Sequence, residues 1–270
     1  MRKAVAAPYV VWMAIFIVVP LGLIVLFAFT DSSGAFTLNN ISQVGQYAGV
    51  IWRSILLSAV STVICLVLAY PLAFIISRKP ENKQRTFLML VMLPMWMNFL
   101  LRTYAWMTLL ENTGLINRLL GLVGLGPFQM INTQGAVVLG MVYNYIPYMI
   151  LPLYSVMVKI EPHIIEAAQD LGADSLNVLW KVLIPLSKSG IVTGITMVFV
   201  PAASTFIISK MLGGGTNLMV GDLIEMQFLG NAYNPNLGSA ISLLLMVLIL
   251  ICMFVMKSID TEEEMEGMLL

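Results

Sequence analysis

Six long apolar runs divide the sequence, and polar or glycine-rich connections separate them. The runs lie at about 8–29, 54–77, 87–110, 135–158, 190–209 and 238–256. Each run is long enough to cross a hydrocarbon core about 30 Å thick as a helix, which needs roughly 20 apolar residues. A helix also satisfies its backbone polar groups within its own segment, as the lipid interior requires. The pattern therefore predicts an all-α integral membrane protein with six transmembrane helices in a single domain, residues 1–270.

The composition supports a membrane protein. Hydrophobic residues make up 59% of the chain and charged residues only 10%, against about 25% charged in a soluble protein. The formal net charge is zero, so nothing indicates a nucleic-acid partner. The first run follows Arg2 and Lys3 as a signal peptide would, but it is too long for the apolar region of one. We therefore expect a retained membrane anchor.

Residues that could form a metal site or an enzyme active site are scarce. Cys65 and Cys252 lie within apolar runs, where cysteine behaves as a small hydrophobic residue, and His163 is the single histidine. The glycine run at 213–215 lacks the lysine of the ATP-binding sequence GxxxxGK[ST]. We expect no metal, no cofactor, no catalytic residues and no ATP binding by this chain itself.

Lysine and arginine are distributed unequally between alternate connections, and such residues accumulate on the cytoplasmic side. If the N-terminus is cytoplasmic, that side holds ten of the 14. These are Arg2, Lys3, Arg78, Lys79, Lys83, Arg85, Lys159, Lys181, Lys188 and Lys257. The outer side and the outer helix ends hold Arg53, Arg102, Arg118 and Lys210. The distribution predicts that both termini and the second and fourth connections are cytoplasmic.

The fourth connection, 159–189, contains a short amphipathic segment. Pro162 suits the first turn of a helix and Gly172 the left-handed position after the last turn, which predicts a helix of about ten residues. Helical spacing places three apolar residues on one face: Ile164, Ala168 and Leu171. Such a face can dock into a groove of another protein or lie on lipid. Three acidic residues favour docking on a protein over contact with lipid: Glu161, Glu166 and Asp170.

This segment resembles the EAA loop of binding-protein-dependent ABC importer permeases. The match comprises Glu166-Ala167-Ala168, Gly172 after three residues, and 182–185 (VLIP) nine residues later. The family usually has Ile and Leu where this chain has Val182 and Ile184. The resemblance implies the type I ABC importer permease (MetI-like) fold, a bacterial cytoplasmic (inner) membrane location, and a loop that docks onto an ATPase. It assigns coupling to Glu166, Ala167, Ala168, Asp170, Gly172 and Pro185.

A narrower resemblance is to the permease subunits of spermidine/putrescine importers. It depends on 101–105 (LRTYA), 166–173 (EAAQDLGA), 213–218 (GGGTNL) and 227–229 (QFL). One departure is Lys210, near which that family has an acidic residue. The resemblance implies a small-molecule polyamine substrate and four further components: a second homologous permease, two ATPase subunits and an extracytoplasmic substrate-binding protein. The alternatives are an importer of an inorganic anion, amino acid or metal complex, and a secondary transporter or channel without an ATPase.

Polar and aromatic residues within the apolar runs are candidates for a translocation path. Aromatic rings could line it for an amine by cation–π contact, or could form an interfacial belt and core packing. Arg102 is a functional candidate as an intramembrane charge, but it could equally snorkel to the surface or pair with a neighbouring helix. Pro201 marks a flexible gate or a tolerated kink. The candidate path residues are Trp96, Asn98, Tyr104, Asn144, Tyr148 and Pro201.

Overall fold

The computed structural model describes residues 9–230 and 232–268, with side chains as far as residue 258. Arg2 and Lys3, which contribute to the predicted cytoplasmic N-terminus, lie outside the described residues. In chain order the helices are α1 (Tyr9–Ala28), α2 (Asn39–Val44), α3 (Ala48–Ser77), α4 (Glu81–Trp96), α5 (Phe99–Leu110), α6 (Leu115–Leu122), α7 (Gln134–Met157), α8 (Pro162–Asp170), α9 (Ser175–Leu186), α10 (Lys188–Ser204), α11 (Ile207–Leu212), α12 (Val220–Leu229) and α13 (Pro235–Met268). The prediction of an all-α fold is confirmed.

Four segments are long and apolar enough to cross a membrane as they stand. They are Tyr9–Ala28, Asn39–Ser77, Gln134–Met157 and Pro235–Ser258. Two further candidates are bent pairs: α4 with α5 and α6 turns by 86°, and α9 with α10 turns by 72°. If each bent pair is one span, the described part of the chain has six, the number that the sequence predicts.

Two of the predicted runs are not single helices. The run at 87–110 breaks at Met97, which is extended, and Asn98 caps the next helix by accepting the N–H of Leu100 at 2.8 Å. The run at 190–209 breaks at Thr205, also extended, between α10 and α11. A proline comes three or four residues before each break, whereas the apolar length of the runs alone does not locate them.

The core forms around α7, which packs against α3 and α10. Met141, Met149 and Leu153 on α7 are fully buried in the main apolar cluster. Gly190 and Gly194 on α10, four residues apart, lie against α7, where small residues allow helix backbones to approach closely. A second cluster joins the end of α1, at Ala28, to α12 and α13. Most apolar side chains of α1 are exposed, as expected for a helix that contacts lipid or another subunit.

We expect Gly190→Val to destabilise the fold through this close packing. A Cβ at Gly190 would lie 3.0 Å from the Pro152 carbonyl oxygen and 3.1 Å from a Val156 methyl group, and a backbone atom cannot easily move aside. Overpacking of this kind costs about 1–3 kcal/mol. No described atom lies within 4 Å of a Cβ at Gly49, so Gly49→Val is the matched control. Thermal unfolding in detergent should show a lower midpoint for Gly190→Val alone; equal midpoints would contradict the packing argument.

Candidate coupling surface and translocation path

Helix α8 has well-defined ends. Pro162 occupies its first turn, and Gly172 follows its last turn with a φ of +86°, a left-handed conformation that favours glycine. The Gly172 N–H donates to the Gln169 carbonyl at 2.8 Å, and the Ala173 N–H donates to the Ala168 carbonyl at 3.0 Å. These two bonds form a Schellman motif, which satisfies carbonyl groups at the end of the helix.

A small apolar cluster anchors α8 to the rest of the chain. Ile160, Val178 and Leu183 are its buried members, and the partly buried Ile165 and Ala168 pack against them. Ala168 therefore turns inward, whereas Ile164 and Leu171 are exposed, Leu171 by 90%. Of the three residues predicted to share an apolar face, Ala168 is thus partly covered by the chain itself, and Ile164 and Leu171 stay available to a partner. The chain doubles back from α8 onto α9, and the cluster fills the space inside that hairpin.

The exposed side of α8 combines acidic and apolar groups. Of the residues that the resemblance assigns to coupling, the exposed ones are Glu166, Ala167, Asp170, Gly172 and Pro185. Glu161 pairs with His163 at 3.1 Å, on the same exposed side. We name the exposed residues 161–172 of α8 and its ends the coupling surface.

Sequence reasoning missed two large exposed residues on α9, Leu176 and Trp180, which are 66% and 67% exposed. The sequence signal for them is a second amphipathic stretch, from Ser175 to Leu183. Trp180 lines an apolar groove of about 790 Å³ together with Tyr70 and Phe74 of α3.

Polar contacts tie the start of this hairpin to the ends of α3 and α7. Arg78 donates to the Ile160 carbonyl at 2.8 Å and lies over the Phe74 ring at 5.2 Å, and burial lowers the pKa of its guanidinium. Gln84 donates to the Lys79 carbonyl at 2.7 Å and accepts from the Tyr154 hydroxyl at 2.6 Å. Arg78 thus ties the start of the hairpin to the end of α3, and Gln84 ties α4 and the connection after α3 to α7.

Ser187 lies at the 72° bend between α9 and α10. It is fully buried, its hydroxyl donates to the Leu183 carbonyl at 2.6 Å, and it lies 2.9 Å from the Tyr70 hydroxyl. The bend is thus a polar hinge between the cytoplasmic hairpin, as the charge distribution predicts it, and the membrane helix that packs on α7.

The six candidate path residues occupy different environments. Trp96, Tyr104 and Tyr148 are 72%, 56% and 39% exposed, and Asn98, at the break between α4 and α5, is exposed as well. Pro201 is half-buried, and its carbonyl accepts from the Tyr145 hydroxyl at 3.4 Å. The four exposed residues are available to a neighbouring subunit or a solute, and Pro201 is only partly so.

Asn144 is only 2% exposed. Its amide nitrogen donates to the Gly140 carbonyl at 2.8 Å, while its Oδ1 is buried with no hydrogen-bond partner among the described residues. An unpaired buried acceptor costs about 1–3 kcal/mol. Asn144 is therefore a polar site within the helix packing and does not line an open surface.

Two charged features involve α5 and the pair α11 and α12. Arg102 is 8% exposed and lies 5.9 Å from the centre of the Phe99 ring, so it does not snorkel out of the protein. Lys210 pairs with Glu225 at 2.8 and 3.0 Å, across a separation of 15 residues that sequence reasoning missed. Beside them, Asp222 accepts the Met219 N–H at 2.7 Å, and burial raises the pKa of its carboxyl.

Comparison with known proteins agrees with this architecture. The family model of the binding-protein-dependent transport system inner membrane component matches residues 4–262, and the chain belongs to that family. A spermidine/putrescine transport system permease protein PotB from Haemophilus influenzae is 35% identical over 264 residues, 94% of this chain and 92% of the relative. The protein of the same name from Escherichia coli K12 is 33% identical over 87% of this chain and 89% of its own. The predicted family resemblance is confirmed.

Solved structures support the fold alone, because their sequences are only distantly related. A bacterial alginate ABC transporter, in complex with an alginate pentasaccharide-bound periplasmic protein, matches with a TM-score of 0.78 at 17% identity, covering 94% of this chain and 92% of that one. The inward-facing MetNI methionine ABC transporter matches with a TM-score of 0.60 at 18% identity, covering 81% and 96%. The predicted importer-permease fold is thereby confirmed.

Substitution of Gly172 should loosen the end of α8 in a graded way. Gly172→Val places a β-branched residue in a left-handed conformation, at a cost of roughly 1–2 kcal/mol, whereas Asn tolerates that conformation better. Hydrogen exchange of the Gly172 and Ala173 amides should become several-fold faster in Gly172→Val and change less in Gly172→Asn. No described atom lies within 4 Å of a Cβ there, so steric collision cannot explain the difference. Equal exchange in both variants would refute the role of the left-handed turn.

Proposed function

We propose that this chain is a permease subunit of an ATP-driven importer of spermidine and putrescine, and that it forms half of the translocation path. The observation that carries the importer assignment is the coupling surface, an exposed short helix anchored to two membrane helices in a member of a transport family. The names of the relatives at 33–35% identity support spermidine and putrescine as the substrates.

The orientation and the partners belong to the same proposal. The unequal distribution of Lys and Arg supports cytoplasmic termini and a cytoplasmic α8. In that orientation the coupling surface meets the ATPases: Glu166 caps or pairs with a group of the ATPase, Ala167 allows close approach, and Gly172 makes the turn. Ala168, which packs inward, is assigned to holding α8 in place. A second homologous permease, two ATPase subunits and an extracytoplasmic binding protein complete the assembly in a bacterial inner membrane.

Coupling would use the polar contacts around α8. When the ATPases close on ATP, a shift of α8 would pass along the chain to α7, through Arg78 to α3, and through the bend at Ser187 to α10. Alternating access then requires that ATP-bound partners contact one arrangement of these helices better than the other. The chain itself supplies binding and movement, and hydrolysis takes place on its partners.

The path would recognise an amine mainly through aromatic faces and neutral acceptors. Trp96, Tyr104 and Tyr148 present exposed rings, and ammonium groups are attracted to such rings at short range. Free carboxylates are scarce on this chain's outer half, since Glu225 is paired with Lys210 and Asp222 is buried. We therefore expect the second permease to supply anionic groups on the opposite side of the path.

Transport by the reconstituted complex tests the substrate. With permease pair, ATPases and binding protein in liposomes, we expect ATP-dependent uptake of radiolabelled spermidine or putrescine and no uptake of an amino acid or phosphate. Uptake of either competitor without uptake of polyamine would overturn the substrate assignment but not the assignment as an importer. Polyamine uptake by the permeases without ATPase subunits would instead favour a secondary transporter.

Docking of the ATPase is tested at Ala167. Ala167→Trp adds bulk to the exposed side of α8, whereas tryptophan at Ala168 would also disrupt the chain's own apolar cluster. We expect Ala167→Trp to keep the thermal stability of the isolated permease and to lower substrate-stimulated ATP hydrolysis at least tenfold, as loss of about 1.4 kcal/mol or more of docking energy would. Ala35→Trp, at an exposed alanine far from α8 in the chain, is the control. Normal stimulation in Ala167→Trp would refute docking at this surface.

A further inference from the structure

Helix α6 and the turn that follows it expose large apolar side chains on one continuous segment. Leu122 and Val123 are 84% and 77% exposed, and Leu115 and Leu119 are 55% and 54% exposed. Leu125 and Phe128, in the same connection, are each about half exposed. A run of this kind is a contact surface for something outside the chain, because isolated apolar residues on a surface are common but contiguous ones are not.

The segment is held in shape from its inner side. Asn117 is 5% exposed; its amide nitrogen donates to the Phe128 carbonyl at 2.9 Å and to the Glu111 carbonyl at 3.2 Å, and its Oδ1 accepts the Phe128 N–H at 2.9 Å. Arg118 donates to the Thr113 carbonyl at 2.9 Å. The polar groups thus form hydrogen bonds within the connection itself, and Ile116 packs on the main cluster. The outward apolar side is a fixed feature of the loop.

The position of α6 identifies what this surface contacts. Its first residue, Leu115, comes only five positions after Leu110, which ends α5, and such a link spans at most about 18 Å. The connection returns to α7, itself long and apolar enough to cross the membrane. The surface is therefore confined to the level at which membrane helices leave the bilayer.

The charge of the segment favours lipid as the contact partner over a water-soluble protein. Arg118 is the single charged residue in the sequence from 112 to 158, and the carboxylate of Glu111 lies just before the segment, at the end of α5. Protein interfaces surround an apolar centre with a polar rim. This segment has few polar residues that could form such a rim. An apolar face beside a single cation matches a helix that lies in the plane of the headgroups.

We propose that α6 and the turn 123–128 form an interfacial membrane anchor, with Leu119, Leu122 and Val123 inserted among the acyl chains at the bilayer face where α5 ends. The anchor fixes the depth of α5 and of the break at Met97 and Asn98. It does not depend on the polyamine substrate or on docking at α8. The orientation proposed above makes this face the outer leaflet.

The test measures membrane depth at Leu122 in the assembled complex. Cys65 and Cys252 are replaced by alanine, Leu122→Cys carries a nitroxide, and the complex is placed in nanodiscs of phosphatidylcholine and phosphatidylglycerol. Collisions with oxygen, which partitions into lipid, are compared with those of a water-soluble nickel chelate. We expect an oxygen-to-nickel ratio several-fold above that of the control Ser33→Cys, which lies in an exposed polar turn. Val123→Cys gives an independent position if the first variant assembles poorly.

Two outcomes would overturn the proposal. A ratio at Leu122 and Val123 equal to that of Ser33 would place the turn in water. Shielding from both reagents would mean that protein covers the surface, and release of that shielding when the binding protein is left out would identify the binding protein as the cover.

Discussion

The close approach of α10 to α7 is the contact on which the rest of the molecule depends. At Gly190 and Gly194 the two helices leave no room for a side chain, and at Gly140 a Cβ would lie 2.5 Å from a Leu212 methyl group of α11. Without a hydrophobic driving force between helices in lipid, such packing supplies much of the association energy. Because α7 leads into α8 and α10 leads out of α9, this contact also fixes both ends of the hairpin of α8 and α9 relative to each other.

That hairpin is held by few apolar residues, which suits the movement that the proposed coupling requires. Its cluster has three fully buried members, Ile160, Val178 and Leu183, whereas the main cluster extends over most of α7. Segments with few buried apolar contacts open and shift at lower free energy than the core. Where apolar packing is sparse, hydrogen bonds from Arg78 and Ser187 hold the orientation of the hairpin. They do so because hydrogen bonds weaken rapidly when their geometry changes.

Features that depend on local sequence could be predicted from the sequence. Apolar runs of sufficient length gave the spans, and Pro162 with Gly172 gave α8 and its left-handed end, because proline and glycine act through their own backbone conformations. The breaks at Met97 and Thr205 were not predicted, because the runs were defined by apolar length alone and the 86° turn is stabilised by the Asn98 cap and by packing with neighbouring helices.

The contacts of the candidate site were predicted less well because they depend on the fold. The inward turn of Ala168 requires the hairpin, and the pairing of Lys210 with Glu225 requires α11 and α12 to meet. For the same reason Asn144 and Tyr148, one turn apart on α7, differ in exposure: one faces the packed helices and the other does not. Helical spacing gives a shared face, but only the neighbouring elements decide which part of that face is covered.

The cations on the outer half of the chain bear on how a polyamine could cross. The positive charge of Lys210 is cancelled by Glu225, and Arg53 and Arg118 are directed to the Thr216 and Thr113 carbonyls. Arg102 differs: its Nε and Nη1 are buried without hydrogen-bond partners among the described residues, and no described carboxylate pairs with it. An uncompensated buried charge is strongly unfavourable. If the second permease proposed above placed a carboxylate beside Arg102, it would neutralise the guanidinium and remove a positive charge that opposes passage of a cation.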